Sequence, residues 1–174
     1  MNNIHSLSVS NIKQETLNSV VISFKIPSSL KNLYAFKAGQ YLTLSSHIKG
    51  EKVKRSYSIC SSPQSQDLQV GVKAIENGVF SNYVNDALRE GDFIEVSVPE
   101  GRFVLEDNPS ANYCAFVAGS GITPLMSLVS DVLAKNETGV FVLGYGNKTK
   151  ASTMFTGSIE ELKSLPWALT RTGV

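Results

Sequence analysis

Apolar positions in the first part of the chain recur with a period of two. Leu68, Val70, Val72 and Ala74 alternate with Gln69, Gly71, Lys73 and Ile75, the pattern of a strand with one face turned to a core. Runs of this kind predict strands over 4–13, 18–26, 41–48, 53–59, 68–75 and 93–98. The stretches "SSPQSQD" and "IENG" supply turn chemistry between runs. One short helix is expected over 81–89, with "EGD" as its stop signal. Several strands at this spacing predict a small antiparallel barrel.

The period changes near Asn108-Pro109. From there the pattern predicts a strand over 113–118, a glycine turn, a helix over 125–135, a strand over 140–145 and a weaker helix over 159–164. Ser158 and Glu161 have capping-box spacing before that last helix. This order is the start of a parallel α/β unit. The expected architecture is β plus α/β: a six-stranded antiparallel barrel, residues 1–107, then an incomplete parallel α/β domain, residues 108–174. The boundary falls within 106–112.

With 174 residues there is room for one domain or two small ones. Sixteen basic residues face fifteen acidic ones and form no stripe, which argues against a nucleic-acid partner. No apolar run is long enough to span a bilayer, and the N-terminus lacks a signal-peptide layout. A soluble, cytoplasmic protein is expected. Cys60 and Cys114 can form one disulfide or remain two reduced, buried thiols; a cytoplasmic chain favours the second. Two thiolates cannot hold an ordinary iron–sulfur cluster, and neither His5 nor His47 has metal-site spacing. No metal is expected.

Three stretches carry candidate chemistry. In "RSYSIC", Arg55, Tyr57 and Ile59 fall on one face of a strand and Ser56, Ser58 and Cys60 on the other. The segment reads either as a half-buried strand with a surface salt bridge or as a ligand platform of cation, ring and hydroxyl. "VAGSGITP" follows a strand and opens a helix. Gly119 and Gly121 admit a ligand close to the backbone, Thr123 can cap, and Pro124 suits the first turn. This is an ordinary βα turn or an anion site at a helix start. "ENGVFSNYV" places Gly78 and Ser81 at another helix start, again a simple cap or an anion site. Cys60 reads as a small core residue.

Taken in order, "RSYS", "VGVKAIENGVFS", "PEGRF", "AGSGITP" and "LGYGNKT" resemble the ferredoxin–NADP reductase superfamily. The likeness runs from about residue 4 to about residue 165. Within the superfamily it points to reductase components of phenylacetyl-CoA epoxidase and ring-hydroxylating oxygenase systems, and so to phenylacetate degradation. A structural barrel without flavin would require every motif to be a coincidence. The resemblance implies FAD as cofactor and NAD(P)H as co-substrate. It implies that Arg55 pairs with the flavin pyrophosphate, that Tyr57 packs on the isoalloxazine ring, and that Ser58 lies near flavin N5, with Ser56 in the same run. Tyr57 and Ser58 are thus the residues next to the chemistry. Backbone groups of Val72, Lys73 and Ala74 are implied at the ring edge. The helix start of Gly78, Val79, Phe80 and Ser81 is implied at the pyrophosphate. Gly119, Gly121 and Thr123 are implied to touch both flavin and nicotinamide nucleotide. Lys148, after Asn147, stands where the family often has arginine; it is either near the ribose phosphate of NADPH or a solvated loop lysine.

Family members continue further, through more nucleotide-sheet strands, a C-G-P turn and often a plant-type ferredoxin domain. After Leu165 the tail "PWALTRTGV" does not resemble them, and a truncated form is expected. The implied function is that of a reductase passing electrons to an iron–sulfur protein or oxygenase component. The alternative is a flavin-binding electron-relay module without its own NAD(P)H turnover. A two-stranded sheet would leave a bare edge and uncover Leu128, Val129, Val132 and Leu133, which leaves two expectations: a homodimer through the C-terminal part, by edge pairing or exchange of the tail, or a monomer whose tail folds back over its own helix.

Overall fold

A computed structural model describes residues 3–106, 108, 110–135, 140–163 and 169–172. The barrel strands are β1 (Ile4–Thr16), β2 (Ser19–Lys25), β3 (Tyr41–Ile48), β4 (Glu51–Ser58), β5 (Leu68–Lys73) and β6 (Phe93–Ser97). They form one sheet in the order β4-β3-β6-β1-β2-β5, antiparallel throughout. Alternation puts Leu7, Ile22, Leu42, Leu44, Val70 and Val96 into a common core, each at most 1% exposed. Tyr34 plugs that core, with its hydroxyl donating to Val96 O at 2.8 Å.

The sheet curls until β4 meets β5, but only through the Ile59–Val70 bridge, where Cys60 N donates to Gln69 O at 2.9 Å. Past that bridge the two strands part. The wedge between them is covered at one end by helix α1 (Val79–Asp86), which begins two residues earlier than its pattern predicts and stops before "EGD". The turn leading into α1 is tight: Gly78 N donates to Ile75 O at 3.0 Å, and Asn77 holds a φ of 57°.

The second sheet is parallel, in the order β7 (Tyr113–Ala118), β8 (Phe141–Gly146), β9 (Leu169–Thr172). It therefore has three strands, where the pattern gave two; the added one comes from the tail, and its backbone pairs with β8. Trp167 lies outside the described residues. Helix α2 (Ile122–Lys135) starts three residues before its expected place, because a 3-10 turn at Gly119–Gly121 runs directly into it. Thr123 is consequently inside the helix and caps nothing: its hydroxyl donates to Ser120 O at 3.1 Å. Helix α3 (Thr156–Lys163) likewise begins before Ser158, so that residue is not its N-cap.

The expectation of an uncovered α2 face is corrected. Leu128, Val129, Val132 and Leu133 are all buried. The open surface is instead the far face of β7, where Phe116 is 84% exposed and Cys114 is exposed rather than buried. Both cysteines are free. Barrel residues Val21 and Cys60 share one apolar cluster with Ile122, Val129, Met154 and Phe155, which joins the second sheet's helices to the barrel. Among the described residues no helix is long and apolar enough to cross a membrane, and no group of three His, Cys, Asp or Glu side chains is placed to hold a metal.

Candidate functional site

The wedge between β4 and β5 is a cleft of about 490 Å³. Its walls bring together Arg55, Ser56, Tyr57 and Ser58 of β4, Lys73 of β5, the α1 start at Gly78, Val79, Phe80 and Ser81, and Thr123 of α2. These residues come from four separate stretches of sequence. Gly71, Ile75, Glu76, Asn77 and Ser120 also line it and are absent from the sequence-based set. Gly71 carried a readable signal, because a lone glycine within a strand pattern marks close approach of other groups. Ser120 was legible only as the residue between two glycines. Four residues of the sequence-based set stand apart from the walls. Val72 is fully buried in the barrel core. Ala74 N turns away to Asn18 O. Gly119 and Gly121 form the turn ahead of α2, where Tyr145 donates its hydroxyl proton to Gly119 O at 3.0 Å.

Each wall has a definite chemistry. Arg55 is exposed and makes no ion pair with a described residue; its guanidinium donates to the neighbouring Lys54 O at 2.7 Å. The surface salt bridge that this strand carries is made by Lys52 with Glu95 of β6, at the other end, which leaves the Arg55 guanidinium to the cleft. Tyr57 is half-buried, and its ring lies 5.9 Å from that of Phe80, tilted by 33°. Burial pushes the Tyr57 phenol up to about 12, only partly offset by the charge of Arg55. The ring therefore stays neutral across the physiological range and presents an uncharged flat wall.

At the helix start, Gly78 occupies the N-cap and no side chain caps the first turn. The amides of Val79, Phe80 and Ser81 have no helical carbonyl to bond. The Ser81 hydroxyl is turned back, accepting from Ile75 N at 3.3 Å and donating to Gly78 O at 3.4 Å. A Cβ at Gly78 would stand 2.3 Å from Ser81 Oγ and 2.5 Å from Ile75 Cγ1, so only glycine fits there. On β5, Gln69 O already serves Cys60 N, and Ala74 N serves Asn18 O. Alternation along an antiparallel strand then aims the main chain of Lys73 toward the gap left by β4. Its side chain crosses to the second unit, Nζ donating to Ser152 O at 3.0 Å.

A guanidinium, a neutral aromatic wall and uncapped helix amides around one cleft fit a flat ring carrying a phosphate tail. That places the chain among flavin-binding proteins built on an antiparallel barrel with an attached α/β unit. The chain belongs to the oxidoreductase FAD-binding domain family, whose model matches residues 6–105. It is 40% identical over 165 residues to one of the subunits of 1,2-phenylacetyl-CoA epoxidase from Escherichia coli, covering 94% of this chain and 46% of that protein. It is 36% identical over 163 residues to the ferredoxin reductase component of 3-ketosteroid-9-alpha-monooxygenase from Rhodococcus rhodochrous, covering 91% and 44%. The chain thus spans about half the length of the curated relatives it matches. Phthalate dioxygenase reductase matches in structure with a TM-score of 0.81 and 26% identity, over 98% of this chain and 51% of that one. Ferredoxin-NADP+ reductase from Plasmodium falciparum matches with a TM-score of 0.83 over 99% of this chain and 71% of that one; at 19% identity the likeness is one of fold alone.

Proposed function

We propose that the chain is the flavin-holding part of an FAD-dependent NAD(P)H oxidoreductase. In this reading it is a reductase component that takes electrons from a nicotinamide nucleotide and passes them to an iron–sulfur protein or an oxygenase component. The observation that carries the reading is the meeting of Arg55, Tyr57 and Ser58 with the uncapped Gly78–Ser81 helix start in one cleft. Relatives that belong to oxygenase systems, one of them named as a ferredoxin reductase component, support it. Residues 1–107 form the flavin domain and 108–174 belong to the nucleotide domain.

FAD, when bound, supplies hydride acceptance and one-electron release. The side chains bind it and set its geometry. Arg55 grips the diphosphate as a fork, and the amides of Val79, Phe80 and Ser81 hold its other oxygens. Tyr57, backed by Phe80, forms the apolar wall against the ring. Ser56 and Ser58 offer hydroxyls along the β4 side, Ser58 at the reactive edge. Of Val72, Lys73 and Ala74, Lys73 is the one whose main chain would border the ring. Thr123 would meet the flavin from the α2 side of the cleft, and the Gly119–Gly121 turn behind it would serve the nicotinamide nucleotide. No acid–base side chain is needed for this chemistry. The Arg55→Ala variant should bind FAD more weakly by roughly 2–4 kcal/mol. Fluorescence titration giving equal affinities for variant and parent would overturn the assignment.

The uncovered far face of β7 favours a second reading, an electron-relay module without its own nicotinamide turnover. Rapid mixing of the FAD-loaded protein with NADH and, separately, with NADPH separates the two, since only a reductase bleaches its flavin. The same exposed face supports a homodimer through the C-terminal sheet. Two free cysteines support a cytoplasmic location.

A further inference from the structure

Phe155 immediately precedes α3, and its carbonyl accepts the helix's first bond, from Ile159 N at 2.9 Å. Its φ is 59°. A residue leading into a helix ordinarily has extended backbone, and a bulky side chain in the left-handed region is an outlier that its surroundings must enforce. Two contacts enforce it here. Phe155 N donates to Glu15 Oε2 at 3.0 Å, across 140 residues of sequence. The Phe155 ring, 5% exposed, seats over Gly71, where a Cβ would stand 3.2 Å from Cζ and 2.7 Å from the Thr123 methyl.

The Glu15 side chain is itself only 9% exposed, and its other oxygen is paired with Lys13 Nζ at 3.0 Å. Both carboxylate oxygens are therefore used, one by a cation on its own strand and one by the strained amide of the second unit. A third tie runs in parallel, from Lys73 Nζ to Ser152 O. Gly71, Lys73 and Thr123 all line the cleft. The segment 149–155 thus presses on the cleft wall from outside, and the carboxylate of Glu15 holds it there.

We propose that Glu15 is a positioning residue: through Phe155 it seats the α/β unit on β5 and so fixes where the nicotinamide-bearing part stands relative to the flavin wall. The functional half of this proposal rests on the reductase reading above. Hydride transfer depends steeply on that separation, whereas flavin binding at Arg55 and the α1 start does not pass through Glu15.

The test compares parent, Glu15→Ala and Glu15→Gln. Hydrogen exchange by mass spectrometry on the peptide covering residues 149–156 reads the clamp directly. Glu15→Ala should exchange there about tenfold faster, the factor carried by loss of one charge-assisted hydrogen bond. Glu15→Gln, whose amide oxygen can still accept, should fall in between. FAD affinity should stay within about twofold while single-turnover flavin reduction by NADH slows about tenfold or more in Glu15→Ala, with partial rescue in Glu15→Gln. Unchanged exchange overturns the clamp. Faster exchange with an unchanged reduction rate overturns its positioning role. If the parent itself is reduced by neither NADH nor NADPH, the reductase reading falls, and the exchange measurement still decides whether Glu15 holds the segment. If Glu15→Ala fails to fold, the Glu15→Gln variant carries the same comparison.

Discussion

The two sheets of this protein bury their apolar strands in opposite ways. In the barrel, alternation places one side of each strand in a common core, and Leu42, Leu44, Ile59 and Val70 are fully buried. In the parallel sheet, β7 reads "YCAFVA" and is apolar on both sides. Only one side is covered: Leu143 and Tyr145 of β8 lie within the cluster formed with α2, while Phe116 on the far face is 84% exposed. A barrel curls to cover its own strands, so a period of two suffices. A parallel sheet needs a layer on each face. The composition of β7 is that of a strand covered twice, in a setting that covers it once. The cleft lies where the self-sufficient unit meets the half-covered one, and all its lining residues except Ser120 and Thr123 come from the barrel part of the chain.

The sharpest test of this contrast is truncation inside the barrel. Leu44 is fully buried and pairs in register with Val96. Leu44→Ala should lower unfolding free energy by about 2–5 kcal/mol, lost transfer energy plus a cavity the closed sheet cannot collapse. Urea unfolding followed by far-UV circular dichroism measures it. A loss below about 1 kcal/mol would mean that the barrel is not the rigid partner.

Gly78→Ala tests the hinge of the cleft. The added methyl meets Ser81 Oγ and the Ile75 carbonyl, so the turn into α1 must shift. Overpacking of this kind costs about 1–3 kcal/mol, and the displaced amides of Val79 and Phe80 should weaken FAD binding in the same titration used for Arg55. Unaltered FAD affinity would show that the α1 start does not face the phosphate.

Much of the barrel was legible because its signals are local. A period-two run located β3 of the barrel at 41–48, and a short apolar run located β7 of the second sheet at 113–118, both with the ends that the structure has. The β4 stretch declared its odd chemistry in four letters, since a strand rarely carries Arg55, Tyr57 and Ser58 together. What escaped was set by distant partners. The tail strand β9, "LTRT", has no apolar period and exists by pairing with β8. The parting of β4 from β5 after a single bridge is a property of barrel closure, visible in neither strand alone. Cys114 was expected inside as one of two reduced thiols, and its exposure follows from its place on the far face of β7, beside Phe116. The bond from Phe155 to Glu15 joins positions that no sequence window contains.

The thiols report the same contrast with a smaller effect. Cys60 lies between barrel and α2, and burial raises its thiol to about 12; Cys114 is exposed on the open sheet. Near pH 8 a disulfide reagent should label one thiol per native chain and two after unfolding. Because the folded value of Cys60 exceeds the unfolded one, its contribution is intact below about pH 9 and is lost as pH rises toward about 12. Rapid labelling of both thiols in the native protein would mean that α2 does not stay seated on the barrel.

Phe116→Ser should have the smallest effect on the fold. The side chain is 84% exposed, so its removal gives up little burial, and the change in unfolding free energy should stay within about 0.5 kcal/mol. Its effect belongs to association. An aromatic ring beside Cys114 on an uncovered sheet face is surface that a second chain can bury. If the chain pairs through this face, light scattering across a concentration series should show a dimer for the parent and a monomer for Phe116→Ser, with Arg55-dependent FAD affinity unchanged in both. A parent that remains monomeric throughout would remove the homodimer. A destabilisation as large as that of Leu44→Ala would instead show that the far face of β7 is packed within its own chain, and the contrast between the two sheets would fail.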